Sequence, residues 1–327
     1  MLRVLPAYRG RYKGARPAMK PAFVRGCLML IAVAACAADP PYAPLKQWGE
    51  FGTEPGRFRY PAGIAVDGIA NVYVVDQHNH RVQKFDAEGR FLLAWGKDGG
   101  QEGQFKYPFG IAIDSRGDVY VSDMDNHRVQ KFSPRGEFIR SAGRYGAGES
   151  EFKHPYGLAF DGRDILYVID TLNYRLQKFD RDFKHLGSWG SEEAIGVRVY
   201  MPHDVAVLQD GAVALSDRQN HRISIFSAEG KLLRRFGDHG EGAAAPGGRF
   251  SEPHGLAVAP DGSLLVCDRY NFRVQMFTAG GEFKSSWPAV GAADDTQHYP
   301  LAVATDRAGN VYVTDHYQHS VRKYGRR

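Results

Sequence analysis

The sequence predicts an all-β fold, a closed six-bladed β-propeller, from three observations. A proline-anchored segment recurs six times, and the spacings between successive anchor prolines are 47, 47, 47, 51 and 47 residues. A period of this length is typical of propeller blades. Each repeat consists of short β-branched and aromatic runs separated by Gly, Asp and Asn turns. The anchors are Pro61, Pro108, Pro155, Pro202, Pro253 and Pro300.

Each repeat supplies four short strands in a fixed order. In the first repeat they are Gly-Ile-Ala-Val, Val-Tyr-Val-Val, Arg-Val-Gln-Lys-Phe and Phe-Leu-Leu-Ala-Trp, a composition that favours strands over helices. An alanine follows every anchor proline by four residues, and we interpret this strand as the innermost one, where the blades crowd the axis. These alanines are Ala65, Ala112, Ala159, Ala206, Ala257 and Ala304.

The two ends of the repeat region predict that the ring closes. The sixth repeat runs to Tyr324 without a fourth strand, and the segment from Leu45 to Gly49 matches the fourth strand of the first repeat. We therefore expect residues 45–49 to complete the sixth blade within a domain of residues 45–327. Closure removes the exposed sheet edges that promote aggregation, whereas a solenoid would need capping repeats at both ends.

Residues that recur in every blade are interpreted as scaffold. An aspartate closes each second strand and an arginine follows it by five residues in five repeats, so the carboxylate is expected to bind turn amides and face the guanidinium. The pairs begin with Asp76 and Arg81. The Asn-His-Arg triplets at 79–81, 126–128 and 220–222 within this frame resemble NHL repeats. That resemblance implies the propeller fold, and because such propellers include scaffolds, RNA binders, sensor ectodomains and a lyase, function must be read from this chain's own site.

The N-terminal region reads as an export signal. Residues 1–36 carry seven basic side chains and no acidic one, so the remainder has 35 basic against 37 acidic residues, a net charge of −2 rather than the +5 of the whole chain. The apolar run from Cys27 to Ala38 is shorter than the about 20 residues that span a bilayer, and it has the length of a signal-peptide core. Met19 offers an alternative start.

The end of that run predicts a lipid anchor. Val33-Ala-Ala-Cys36 resembles the lipobox of bacterial lipoproteins, which implies acylation of Cys36 and a Pro-rich tether over residues 37–44. Ordinary cleavage beside Cys36 is the alternative. The protein is thus expected to be extracytoplasmic, as a periplasmic or outer-membrane lipoprotein or otherwise secreted. Cys267 occupies a packed strand position, where a thiol is expected to be inert.

Positions that differ between blades predict a ligand site. Strand alternation brings the residue after each anchor proline and the residues after each turn aspartate to one face, the top face. The loop from Gly237 to Pro253 spans 16 residues where four equivalent loops span 12. An aromatic half beside a polar, cationic half suits a ligand with an apolar part and a carboxylate; loop tips that bind nothing are the alternative. The site residues are Phe109, Tyr156, His203, Asp204, Arg218, His254, Arg269 and Tyr270.

Two other functional classes stay open. Met-Pro-His203-Asp and Glu-Pro-His254-Gly resemble segments of the peptidyl-hydroxyglycine lyase, which implies zinc held by one histidine from each of three blades and a tyrosine placed like Tyr270. The matched histidines lie in adjacent blades, and a third would have to come from His298 or His316 in another geometry. RNA binding would need a basic face, which a charge of −2 does not supply.

We therefore expect a binding scaffold, with the zinc-dependent lyase second and RNA binding third. The expected partner is a protein, a peptide or a small anionic ligand, and contact with membrane comes only through the anchor. No cofactor and no nucleic acid are expected, and the domain is expected to be monomeric.

Overall fold

The computed structural model describes residues 41–190, 199–242, 245–289 and 298–327. Cys36 and residues 37–40 of the predicted tether lie outside these residues. The described part contains no helix long and apolar enough to cross a membrane.

Six four-stranded antiparallel sheets surround a central axis, as predicted. In five blades the strands follow chain order from the axis outward. Blades one to three comprise β2–β5 (Pro61–Val66, Val72–Asp76, Arg81–Phe85, Phe91–Trp95), β6–β9 (Pro108–Ile113, Val119–Asp123, Arg128–Phe132, Phe138–Ala142) and β10–β13 (Pro155–Phe160, Leu166–Asp170, Arg175–Phe179, His185–Trp189). Blade four comprises β14–β17 (Pro202–Val207, Val213–Asp217, Arg222–Phe226, Leu232–Phe236) and blade five β20–β23 (Pro253–Val258, Leu264–Asp268, Arg273–Phe277, Phe283–Pro288).

The sixth blade joins the two ends of the described chain. Its inner strands are β24 (Pro300–Thr305), β25 (Val311–Asp315) and β26 (Ser320–Arg326), and β1 (Tyr42–Trp48) pairs antiparallel with β26. The predicted closure is confirmed. The strand begins earlier than the expected residue 45, because Tyr42 is buried, pairs with Arg326 and packs its ring 4.7 Å from the Trp287 ring of blade five. The last three residues of the predicted tether are therefore strand.

The recurring aspartate and arginine are scaffold, as predicted. In blade one, Asp76 Oδ1 accepts the backbone N–H of Arg59 at 2.7 Å, and its Oδ2 accepts Arg81 Nε at 2.7 Å and Asn79 Nδ2 at 2.8 Å. The carboxylate thereby ties the loop before the first strand to the turn after the second. The turn is one turn of 3-10 helix, repeated at Gln77–Asn79, Met124–Asn126, Thr171–Asn173, Arg218–Asn220 and Arg269–Asn271.

Glycine, not alanine, allows the blades to approach each other at the axis. A Cβ on Gly63 would lie 2.4 Å from the carbonyl oxygen of Phe109 in the next blade, and one on Gly110 would lie 2.2 Å from that of Tyr156. The recurring alanines do lie on the innermost strands, but they pack between blades; Ala206, for example, belongs to the core shared by blades four and five. The small residue at the axis is thus two, not four, positions past the proline.

Candidate functional site

The first strands begin at one end of the axis, and the residue after each anchor proline forms the mouth of the axial channel there. Ring centroids of Phe109 and Tyr156 lie 4.3 Å apart, those of Tyr156 and His203 4.6 Å, and those of His203 and His254 4.2 Å. Four of the sequence-predicted site residues therefore make one continuous arc across blades two to five. In blade one the mouth is completed by Ala62, which is buried.

The two histidines at the mouth are neutral acceptors. His203 Nε2 lies 3.2 Å from an Nη1 of Arg218, and His254 Nε2 lies 3.2 Å from an Nη1 of Arg269. Burial, and then the neighbouring positive groups, hold the pKa of both rings well below the usual value of 6.5. Since a guanidinium only donates, each ring carries its proton on Nδ1. The cationic half of the predicted site therefore consists of the two arginines alone.

The two arginines differ in how their charge is balanced. Arg218 donates through Nε and Nη2 to one oxygen of Glu252, at 2.7 and 2.6 Å. Arg269 makes no ion pair with a carboxylate among the described residues, its buried Nε has no hydrogen-bond partner there, and its guanidinium lies 5.0 Å from the ring centroid of Tyr270. Arg269 is thus a partly buried cation with donor capacity left over.

Asp204 lies below the mouth rather than on the face. Its side chain lines an axial cavity of about 60 Å³ whose wall is otherwise made by glycines and apolar residues such as Leu256. The carboxylate accepts the backbone N–H of Val205 at 2.9 Å and that of Leu256 at 2.8 Å. Burial nevertheless raises the pKa of Asp204 to about 7. A side chain that replaces the glycine of four other blades can point only into this cavity.

The described residues of the lengthened loop contact the scaffold of blade five. They contain the short parallel strands β18 (Asp238–His239) and β19 (Arg249–Phe250). Gly240 and Ala245 offer their carbonyl oxygens to the scaffold residues Asn271 and Arg273 of blade five. At the end of the same loop, Glu252 contacts Arg218 of the predicted site.

Sequence reasoning missed the residues that precede the anchor prolines. Glu252, which neutralises Arg218, is one of them, and Tyr60 and Tyr299 take part in ring contacts on the top face. Tyr60 and Glu252 have φ angles of 55° and 53°, a left-handed backbone that is uncommon for residues other than glycine. These positions vary between blades in the same way as the predicted ones, so the same comparison could have found them.

The comparisons with known proteins agree with this architecture. The NHL repeat family matches residues 58–85, 105–132, 199–226 and 250–277, the first three strands of four blades. The chain carries NHL repeats on a six-bladed propeller. The remaining two blades have the same strand order and the same turn aspartates, Asp170 and Asp315.

Relatives of this NHL propeller have varied functions. It is 51% identical over 45 residues, 14% of this chain, to the B-box type zinc finger protein ncl-1 of Caenorhabditis elegans. It is 44% identical over 79 residues, 23% of this chain, to the peptidyl-glycine alpha-amidating monooxygenase of Mus musculus. These matches span only 5% and 8% of those proteins. A solved streptogramin B lyase superposes with a TM-score of 0.60 at 14% identity, covering 88% of this chain and 98% of that one, which shows the fold alone.

The residues of the NHL propeller do not fit the three-histidine zinc site that the lyase resemblance implies. The Nε2 lone pairs of His203 and His254 accept arginine N–H groups, so a metal ion there would have to displace two guanidinium groups. His316 Nδ1 lies 3.1 Å from the carbonyl oxygen of Pro61, and His298 contacts the buried Asp315. Among the described residues, no three His, Cys, Asp or Glu side chains are grouped to hold a metal.

Proposed function

We propose that this NHL propeller binds a ligand with a carboxylate and an apolar part at the mouth of its channel. The observation that carries the proposal is the state of Arg269, whose guanidinium lies on the ligand-accessible face with no carboxylate partner among the described residues. A partly buried cation without a counter-charge is costly, and an anionic ligand removes that cost. Arg218 does not have this property, because Glu252 already neutralises it.

The rest of the mouth supports an apolar ligand body. Phe109 and Tyr156 supply ring surface, and Tyr156 touches the His203 ring directly. His203 Nδ1, which carries the proton, is buried and has no partner among the described residues. A buried N–H group normally finds an acceptor, so His203 is placed to donate to a ligand oxygen. Ring surface with a few convergent polar groups is typical of small-molecule sites.

N-acetyl-phenylalanine and its C-terminal amide test the proposal by titration calorimetry. The free acid is expected to bind and the amide to bind much more weakly, since only the acid carries the charge that Arg269 lacks. Arg269→Ala is expected to weaken binding of the acid by about 1.5–3 kcal/mol, the range for hydrogen bonds to charged groups. Leu172→Ala, which alters a 40% exposed side chain on blade three, is the matched control and should bind like wild type. Equal affinity of acid and amide would contradict the proposal.

Glu252→Gln tests the same site in the opposite direction. The substitution keeps the shape of the side chain but removes the charge that neutralises Arg218 at 2.6 Å. A second unbalanced guanidinium should then attract the ligand carboxylate, so N-acetyl-phenylalanine is expected to bind several-fold tighter. Unchanged or weaker binding in this variant would show that the arginine charges do not determine affinity.

A peptidyl-hydroxyglycine lyase activity is the second candidate, and its support is the local similarity to the amidating monooxygenase. It requires zinc, and the arginine contacts of His203 and His254 oppose a zinc site there. Elemental analysis of the purified protein separates the two functions, because stoichiometric zinc favours only the lyase. RNA binding ranks third, since the net charge of −2 outside the leader gives no basic face for phosphates.

We further propose that the propeller works outside the cytoplasm, held to a membrane through lipid on Cys36. The support is the sequence of the leader, with its basic start, its short apolar run and the Val-Ala-Ala-Cys motif. A protein, a peptide or a small anionic molecule in that compartment is then the expected partner.

A further inference from the structure

A second run of aromatic rings lies on the top face and is formed by residues other than Phe109 and Tyr156. We call it the tyrosine arc, and it passes from blade five through blades six and one to blade two. Neighbouring ring centroids are 4.6 to 6.0 Å apart, within the range of favourable aromatic pairs. Its members, in spatial order, are Tyr270, Tyr299, Tyr317, Tyr60, His78 and Tyr107.

The arc begins at the cation that lacks a counter-charge. The guanidinium carbon of Arg269 lies 5.0 Å from the ring centroid of Tyr270 and 5.9 Å from that of Tyr317. These two tyrosines are 38% and 46% exposed, large fractions for aromatic side chains. Exposed tyrosine beside arginine is the composition that protein and peptide interfaces favour. Burial and then the nearby Arg59 lower the pKa of His78, so Arg59 is a second cation beside the arc.

We propose that the tyrosine arc binds the C-terminal segment of a peptide, with the terminal carboxylate on Arg269 and the preceding residues on the rings. This inference rests on the proposed function, because it takes Arg269 as the carboxylate site. Rings in a row offer faces on which proline and aromatic side chains stack, as in the grooves that dock extended peptides. The arc is on the order of 20 Å long, which about six extended residues cover.

The channel mouth explains why the bound chain has to end at Arg269. Beyond Arg269 lie the buried rings of His254 and His203, and then the Arg218–Glu252 ion pair. Below them the axial cavity of about 60 Å³ has room for only a few water molecules. A peptide that approaches along the arc can thus place a terminal carboxylate on Arg269 but cannot continue past it. An internal segment would leave the charge of Arg269 unbalanced.

The test compares a long and a short probe on the full-length protein. The long probe is the acetylated pentapeptide Ala-Pro-Tyr-Pro-Phe with a free carboxylate, the short one is N-acetyl-phenylalanine, and both are titrated by calorimetry. The pentapeptide is expected to bind at least 10-fold tighter. Tyr60→Ala, which alters a ring that makes no contact with Arg269, should remove most of that gain and leave the short probe unchanged. His78→Ala is the second variant if Tyr60→Ala fails to fold, and Leu172→Ala is the control.

The outcomes separate this inference from the proposed function. Arg269-dependent binding of the short probe without a gain for the pentapeptide would overturn the tyrosine arc and leave the proposed function standing. Failure of the short probe to depend on Arg269 would overturn the proposed function itself. A pentapeptide amide that binds as tightly as the acid would overturn the placement of the carboxylate. A dimer that the pentapeptide dissociates, seen by light scattering, would assign the arc to a second copy of the chain and overturn the peptide proposal.

Discussion

At the scale of single residues, the site is defined by how each charge is balanced. Glu252 neutralises Arg218, whereas among the described residues Arg269 is paired with no carboxylate and lies beside the neutral ring of His254 and the faces of two tyrosines. The sequence shows two equivalent arginines one blade apart, so it predicts equal roles for them. The difference arises from the residue before the next anchor proline, glutamate in one case and tyrosine in the other.

Asp204 provides a prediction about pH. Burial raises its pKa to about 7, against about 3.9 in an unfolded chain. Between these values the folded protein holds one proton more than the unfolded chain, so the free energy of unfolding falls as pH rises from about 4 to about 7 and is then level. Urea unfolding of wild type should lose roughly 2 kcal/mol from this group between pH 5 and 7.

The control for that prediction is Asp204→Gly, which restores the residue found at Gly63, Gly110, Gly157 and Gly255. Every other titratable group is common to the two proteins, so the difference between their pH profiles reports Asp204 alone. The free energy of unfolding of the variant, relative to that of wild type, should be lowest at pH 5 and should rise steadily up to pH 7. Profiles that stay parallel over this range would show that Asp204 titrates as an ordinary exposed carboxyl.

At the scale of strands, the innermost ones set how closely the blades approach. Glycine two residues past the proline lets the first strands of four blades lie against the backbone of the next blade. Blade four has Asp204 at this position and blade six has Ala302, and the Asp204 side chain lines the axial cavity. The strand order could be predicted from the repeat, but this contact could not, because it depends on distances between strands about 47 residues apart.

Gly110→Ala tests the close approach. Its Cβ would lie 2.2 Å from the carbonyl oxygen of Tyr156, a backbone atom that cannot move aside cheaply. Overpacking of this kind costs about 1–3 kcal/mol, which corresponds to a fall in Tm of several degrees for a domain of this size. Gly162→Ala is the matched control, since its Cβ would have no heavy atom within 4 Å. Indistinguishable melting of the two variants would contradict the assigned role of glycine at the axis.

Ring closure is tested by two truncations. A chain lacking residues 1–40 keeps all of β1 and should melt like the full protein, whereas one lacking residues 1–48 leaves β26 without its outer neighbour. The longer truncation also removes the packing of Tyr42 on Trp287. Loss of one ladder and one buried aromatic should lower the Tm by roughly 10 °C or more. Equal melting of the two truncated chains would mean that the ring does not depend on β1.

At the scale of the whole molecule, the repeat period predicts the fold, and the positions that differ between repeats predict the site. Blade number, strand order and the closing strand follow from the sequence, because each repeat has to bury its apolar faces against its neighbours. The pairing of Arg218 with Glu252 and the descent of Asp204 into the axial cavity could not be predicted, because they depend on side-chain geometry between blades. The tyrosine arc was missed because three of its members, Tyr60, Tyr107 and Tyr299, precede the prolines used to align the repeats.

The proposed lipid anchor depends on the thiol of Cys36, and metabolic labelling tests it. Bacterial cells that express the full chain are labelled with an alkyne analogue of palmitate, and the purified protein is assayed for the tag. Wild type should carry label and Cys36→Ala should not, because acylation at a lipobox requires that thiol. Cys267→Ala is the matched control and should be labelled like wild type, since Cys267 is buried and burial raises the pKa of its thiol well above the usual value. Equal labelling of wild type and Cys36→Ala, or none in either, would refute the anchor and leave ordinary cleavage beside Cys36 as the alternative.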